Sequence, residues 1–339
     1  MYRLETKYLK NVKWLDLLNQ NKIVPGLDRI KKLMRELKNP QNDIKVIVVG
    51  GTNAKGSTCF NLNYNLSQAG FKVGCFTSPH LHSVRERIRI GNDLIPVKEF
   101  SEILTEIKDV CTKKRIDITY FEALTAAAYY YFSKIKVDYA IMEIGLGGEW
   151  DAVNIANPII AILTTLGIDH INYLGDNKED IAITKAKIVR KKCDVITGWP
   201  KEYHQYIPEC KSINYGENLN QWLKAAMKLL KLESNITLKE IPGRMETYEN
   251  FTLDTAHNPQ AIKYLFSGSV NYDYIVLGIM KDKDIEEMIN GIPEGTEILT
   301  CNLNTERSIS SKELKQICDK KGRKCKAFDS VKDAVIYCD

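Results

Sequence analysis

Short apolar runs alternate with stretches of 3.6-residue periodicity along nearly the whole chain, the pattern of an α/β protein. The run KVIVVG predicts a strand over residues 45–50 and the following segment a helix over 55–69. Residues 71–77 read as a second strand, and ERIRI at 86–90 alternates with period two. Helices are expected at 96–113 and 120–136, strands at 138–144 and 159–163, and helices at 177–191 and 220–231. The stretch 192–219 shows no sustained period and receives no assignment. Pro242-Gly243 then marks a linker or hinge. Beyond it, strands near 251–253, 273–277 and 296–301 alternate with helices, one opening on a capping box from Ser310 to Glu313. The expected fold class is α/β. A P-loop-type, mostly parallel sheet domain spans 1–240, and a smaller Rossmann-like α/β domain spans 241–339.

Composition narrows the classes without choosing among them. At 339 residues the chain exceeds one typical core, which fits two domains. A net charge of +5, with both signs interspersed, suits anionic small molecules and predicts no nucleic-acid surface. Nine cysteines with no C-x-x-C pair point to reduced thiols and a cytoplasmic setting. The opening MYRLETKYLK has no secretory apolar region, and no run approaches a membrane span.

The strand at 45–50 runs into GTNAKGST, a phosphate cradle. Gly50 and Gly51 let backbone N–H groups approach an anion, and the helix behind turns its positive end to the same place. Gly51, Thr52, Asn53, Lys55, Gly56, Ser57 and Thr58 are the nucleotide-binding candidates. Lys55 supplies charge to the β- and γ-phosphates. The strict P-loop spacing does not hold, because Ala54 precedes the lysine and Gly56 follows it. Gly56 removes the hydroxyl that ordinarily binds Mg²⁺ there. An ordinary glycine turn is the competing reading of this loop alone.

Other strand ends carry further polar groups, as open parallel sheets favour. Ser78, in TSPH, offers the displaced hydroxyl, although Ser-Pro alone is simply a turn. Glu143 closes the apolar run IMEIGLGG and is the candidate Mg²⁺ carboxylate. Asp169-His170 follows IIAILTTL, with His170 a possible ligand or proton carrier. Lys185 lies in EDIAITKAKIVRK, where periodicity alone makes any lysine a solvated face residue and does not separate it from Lys187. Arg244 and the run LDTAHNP place Asp254, His257 and Asn258 at a strand-to-helix junction. Asn258-Pro259 also reads as an N-cap with Pro at N1. VLGIMKDKD sets Lys281, Asp282, Lys283 and Asp284 after another strand.

Taken in order, GLDRI, GTNAKGS, TSPHL, ERIRIG, FEALT, MEIGLGG, DAVN, GIDH, TKAKI, GR, DTAHNP and MKDKD resemble the folylpolyglutamate synthase/dihydrofolate synthase family of the Mur ligase superfamily. The resemblance implies ATP-dependent addition of L-glutamate to a folate or dihydropteroate carboxylate through an acyl phosphate. It implies Lys55, His170 and Lys185 as catalytic, with Lys185 carbamylated. Two Mg²⁺ ions would be held by Ser78, Glu143 and His170. Arg244, Asp254 and His257 would contact ATP, and Phe121 and Asp151 the pterin-bearing substrate. A monomer is expected, with neither nucleic acid nor membrane as partner. The chain departs from the family pattern at Glu149 and Trp150, where GGRLDATN reads GGEWDAVN, so a Mur-type ligase of shifted substrate is the nearer rival. A P-loop phosphotransferase without ligase activity is the more distant one.

Overall fold

The computed structural model describes residues 2–18, 24–169, 171–175, 177–232, 235–268 and 271–338. It divides into two compact units, residues 1–168 with 173–239, and residues 169–172 with 240–339.

Unit 1 is built on β1 (Lys45–Gly50), β2 (Val73–Phe76), β3 (Ile88–Ile90), β4 (Asp93–Leu94), β5 (Tyr139–Glu143), β6 (Ile160–Leu163), β7 (Asp194–Thr197) and β8 (Ser212–Tyr215), in the order β4-β3-β2-β5-β1-β6-β7-β8. The six strands from β2 to β8 in that order pair in parallel, while β3 and β4 add an antiparallel edge. Side-chain alternation along β1 explains the layering. Val46 and Val48 enter one core with Phe76 and Met142, whereas Ile47 and Val49 enter the other.

The first core is covered by α1 (Tyr2–Leu17), α2 (Asp28–Glu36), α4 (Val97–Lys114), α5 (Tyr120–Lys134) and α7 (Lys178–Ala186). The second is covered by α3 (Lys55–Gln68) and α8 (Leu219–Leu229). The chain passes from β1 through α3 to β2 on one side and later from β5 past β1 to β6 on the other, so the direction of strand addition reverses at β1. The carboxyl ends of β5, β1 and β6 therefore frame a switch point, where such sheets bind ligands. A short α6 (Ile171–Leu174) follows β6.

The unassigned stretch 192–219 holds β7, a 3₁₀ turn (Lys201–Tyr206) and β8. These elements are too short for a period to emerge. The helix expected at 177–191 ends at Ala186, and part of ERIRI is a 3₁₀ turn (Val84–Arg87) that leaves β3 only three residues.

Unit 2 opens on a hairpin of β9 (Glu246–Tyr248) and β10 (Phe251–Leu253). It continues through α9 (Pro259–Leu265), β11 (Tyr274–Leu277), α10 (Ile285–Asn290), β12 (Glu297–Cys301), α11 (Ser311–Lys320), β13 (Cys325–Phe328) and α12 (Val331–Cys338). Its parallel sheet runs β11-β12-β13. Ile262, Met288, Ile289, Ile298, Leu314 and Cys318 form its core. Both helix starts expected from sequence are present. Ser310 and Glu313 make a reciprocal capping box, and Asn258 caps α9 with Pro259 behind it. Among the described residues no helix is long and apolar enough to cross a membrane.

Candidate active site

The phosphate loop is a rigid bend braced from behind. Gly51 has φ +133°, and a Cβ there would stand 2.0 Å from Thr164 Oγ1, so only glycine fits. Segment 164–167, after β6, supplies the brace. Thr52 N–H donates to the Thr165 carbonyl at 2.8 Å and Asn53 N–H to Thr165 Oγ1 at 2.9 Å. Thr164 Oγ1 donates to the Asn53 carbonyl at 2.7 Å, and Thr52 Oγ1 to the Gly167 carbonyl at 2.9 Å. Sequence reading missed Thr164 and Thr165, since a hydroxyl that holds a loop looks like any other strand-end threonine. Ala54 takes a left-handed conformation (φ +63°) immediately before α3. That is the geometry for which the strict motif uses glycine.

Two lysines meet on this loop. Lys55 Nζ donates to the carbonyls of Gly51 (3.1 Å) and Thr52 (2.9 Å). Lys185 Nζ, from α7, donates to the same Gly51 carbonyl at 3.0 Å. Lys185 is only 4% exposed while Lys187 is exposed, so the solvated-face reading fails for the first and holds for the second. The reason is topological. The 148–149 turn lies against the end of α7, with Glu149 N–H donating to the Thr184 carbonyl at 3.2 Å. No local periodicity encodes that contact.

Glu143 ends β5 with 3% exposure, and its Oε2 accepts the Ser78 N–H at 2.9 Å. A Cβ at Gly56 would lie 3.6 and 3.7 Å from its two carboxylate oxygens. The position vacated by the missing hydroxyl thus faces Glu143, and the Ser78 amide bonds to the same carboxylate. Among the described residues there is no cluster of three His, Cys, Asp or Glu that could hold a metal. One carboxylate and a hydroxyl nonetheless suit Mg²⁺, which keeps waters and takes phosphate oxygens to complete its shell. His170 lies outside the described residues.

Phe121, on the first turn of α5, packs against Phe76 with ring centroids 5.7 Å apart, and its Cζ is 2.7 Å from where a Gly145 Cβ would be. Asp151 fixes the loop opposite. Its Oδ2 accepts from Gly145 and Leu146 N–H, and its Oδ1 from Val153 N–H, each at 2.9 Å. Burial pushes the Asp151 carboxyl up to about 6, against the pull of those amides and of Lys55. Trp150 is exposed beside it.

Two further pairs were not singled out from sequence. Buried Arg87 donates to His80 Nδ1 at 2.9 Å and lies over the Tyr120 ring, 5.4 Å from its centroid. Burial, then Arg87, hold the His80 imidazole below its usual value. Arg29 pairs with buried Glu122 at 3.2 Å, and Glu122 closes the capping box of α5 with Thr119.

In unit 2, Asp254 pins two loops. It accepts Met245 N–H at 2.9 Å and Ala256 N–H at 2.7 Å. His257 has 48% of its side chain exposed, with Nδ1 2.9 Å from the Thr255 carbonyl and Nε2 3.7 Å from Asp169 Oδ2. Arg244 is exposed. Lys283 forms a buried ion pair with Asp169 at 2.8 Å, and Asn258 Nδ2 reaches the same carboxylate at 3.5 Å. The charge run MKDKD concealed which lysine would turn inward.

The family model for the Mur ligase middle domain matches residues 98–253, and that for the Mur ligase glutamate ligase domain matches 243–338. A dihydrofolate synthase/folylpolyglutamate synthase of Haemophilus influenzae is 31% identical, aligned over 80% of this chain and 78% of its own length. The chain belongs to the folylpolyglutamate synthase/dihydrofolate synthase family. As a member it is an ATP-dependent ligase. A probable bifunctional folylpolyglutamate synthase/dihydropteroate synthase of Haloferax volcanii is 28% identical over 93% of this chain, which spans only 45% of that longer protein. Among solved structures, E. coli FolC in complex with DHPP and ADP superposes with a TM-score of 0.86 and 27% identity, covering 96% of this chain and 91% of that one. The Yersinia pestis bifunctional folylpolyglutamate synthase/dihydrofolate synthase, complexed with AMPPNP and a Mn ion, gives 0.85 and 26%, covering 98% and 91%.

Proposed function

We propose that the chain joins L-glutamate to the carboxylate of a folate or dihydropteroate acceptor, using ATP. The observation that supports this most is the convergence of Lys55 and buried Lys185 on the Gly51 carbonyl, beside the Glu143 carboxylate. A generic phosphate loop needs only one of those lysines.

The acceptor carboxylate oxygen attacks the γ-phosphorus, and the β–γ bridging bond breaks, releasing ADP and an acyl phosphate. The amine nitrogen of glutamate then attacks the acyl carbon, phosphate leaves, and the nitrogen gives up a proton. No protein nucleophile is needed, so the chain works by position and charge. Lys55 and the backbone amides that open α3 orient the phosphates. Glu143 and Ser78 would hold Mg²⁺, joined by His170. A bound divalent ion neutralises charge building on the transferred group. Phe121 offers an apolar wall to a pterin ring, and Asp151 fixes the shape of the loop beside it.

Lys185 is the proposed carbamate. Its neutral amine adds CO₂ and loses a proton, and a buried setting favours the neutral form that this requires. The resulting carboxylate would join Glu143 on the metal side. Arg244, Asp254 and His257 are the proposed ATP contacts of unit 2. All these groups come from one chain, so a monomer suffices. The nine free cysteines suit a reducing cytoplasm.

Purified protein given ATP, Mg²⁺, L-glutamate and either dihydropteroate or tetrahydrofolate should release ADP only when glutamate and acceptor are both present. ADP release indifferent to glutamate would remove the ligase reading and leave a phosphotransferase. The preferred acceptor separates the synthase from the polyglutamylase. Lys185→Ala should lose most activity, with partial recovery in short carboxylates such as formate; full activity in that variant would take Lys185 out of the mechanism.

A further inference from the structure

Helix α3 carries the phosphate loop at its start and a buried asparagine pair along its body. Asn61 and Asn65 are 1% and 4% exposed, and their amides turn to the chain that leaves unit 1. Asn65 Oδ1 accepts Thr237 N–H at 2.9 Å, while its Nδ2 donates to the Thr237 carbonyl at 2.9 Å. One side chain thus pairs with a backbone unit as a neighbouring strand would. Four residues back, Asn61 Oδ1 accepts Lys239 N–H at 2.7 Å. Ile236 packs against the α3/α8 core, and Lys239 Nζ lies 4.9 Å above the Tyr64 ring. The segment is otherwise exposed, and backbone groups in such a stretch are ordinarily left to water.

Unit 2 takes hold almost at once. Arg244 N–H donates to the Ile241 carbonyl at 3.0 Å, Thr255 N–H to the Gly243 carbonyl at 3.0 Å, and Gly243 N–H to Glu246 Oε2 at 2.8 Å. Pro242 and Gly243, read from sequence as a linker or hinge, belong to a tied turn at the start of unit 2. Pro242 also fixes its own φ and confines Ile241 to extended backbone. Between the two sets of bonds only the torsions around Glu240 remain open.

We propose that Asn61 and Asn65 are positioning residues that strap the linker to α3 and confine the hinge for domain closure to Glu240. The helix presenting the phosphate loop then also sets the origin of unit 2's swing. The inference rests on the proposed ligation only in taking closure as a step of the reaction. Both asparagine side chains are engaged with backbone groups of the chain itself.

Two measurements test it. In hydrogen exchange followed residue by residue, the Thr237 and Lys239 amides should exchange at least tenfold more slowly than Leu238 and Glu240. Asn61→Leu/Asn65→Leu should abolish that difference, and Asn61→Asp, which keeps the acceptor, should retain it at Lys239. Unprotected amides in the native protein would overturn the strap whether or not the enzyme is a ligase. The second measurement leaves α3 untouched. Two glycines inserted after Leu232 should leave kcat within about twofold, because the strap isolates the hinge from what precedes it. The same insertion after Lys239 should lower kcat at least tenfold, with a smaller change in KM for ATP. Equal effects of the two insertions would overturn the hinge assignment. Absence of ligation in the native protein would instead remove the proposed function, with the exchange result standing by itself.

Discussion

At the end of β1 the charged groups are already engaged, Lys185 and Glu143 buried and Lys55 half-buried. Lys185 and Lys55 share a carbonyl, and Glu143 holds the Ser78 amide. In unit 2, Arg244 is exposed and half of the His257 side chain faces solvent. The first group has been desolvated by folding and is preorganised; the second retains its water until a ligand displaces it. Substitutions in the first region should therefore couple stability and turnover through the shared packing, whereas those in the second should separate them.

The largest effect is expected at Glu143. Glu143→Gln keeps an oxygen for the Ser78 amide but removes the charge that would hold Mg²⁺. Turnover should fall on the order of 10³-fold, while the fold, followed by circular dichroism, persists. A variant that keeps more than a tenth of native turnover would move the metal site elsewhere. Gly51→Ala comes next, because its Cβ would overlap Thr164 Oγ1 at 2.0 Å in a backbone conformation alanine avoids. Denaturant titration should show a loss of roughly 3 kcal/mol or more. A loss below about 1 kcal/mol would mean that the loop relaxes freely and is not the rigid element described.

The exposed half should behave otherwise. His257→Ala should lower kcat/KM for ATP about tenfold, or ~1.4 kcal/mol, and leave unfolding stability within ~0.5 kcal/mol. Coupled losses of both kinds would show that His257 is part of unit 2's packing and would erase the contrast.

The same contrast explains what could be read from sequence. Strands β1, β5 and β6 announce themselves because both faces are buried and the apolar run is continuous. The phosphate loop follows from its glycines and helix start. Glu143 is legible because a carboxylate ending an otherwise apolar run is chemically conspicuous. Lys185 is not, since its burial comes from the 148–149 turn lying against α7, a contact between segments far apart in sequence. Thr164 and Thr165 escape notice for the same reason, as do Asn61 and Asn65. In unit 2 the junction at 254–258 is legible as local turn chemistry. Which lysine of MKDKD turns inward depends on Asp169, more than a hundred positions away.

The smallest expected effect probes how tightly the buried half is held. Ala54 is left-handed at φ +63°, a conformation costing a non-glycine residue about 1 kcal/mol, and it stands where the phosphate loop meets α3. Glu249, at φ +51°, spends the same strain in the exposed β9–β10 turn. Ala54→Gly removes the strain but frees the unfolded chain, a loss of about 0.4–1 kcal/mol. The two terms nearly cancel, so unfolding stability should rise by no more than about 0.5 kcal/mol. Glu249→Gly should give the same small shift. Nucleotide binding distinguishes the pair. A glycine at 54 loosens the residue before Lys55, and KM for ATP should rise about twofold to threefold; at 249 it should not change. Equal KM values in both variants would show that the threonine brace alone fixes the loop, and that the strain at Ala54 is incidental to binding.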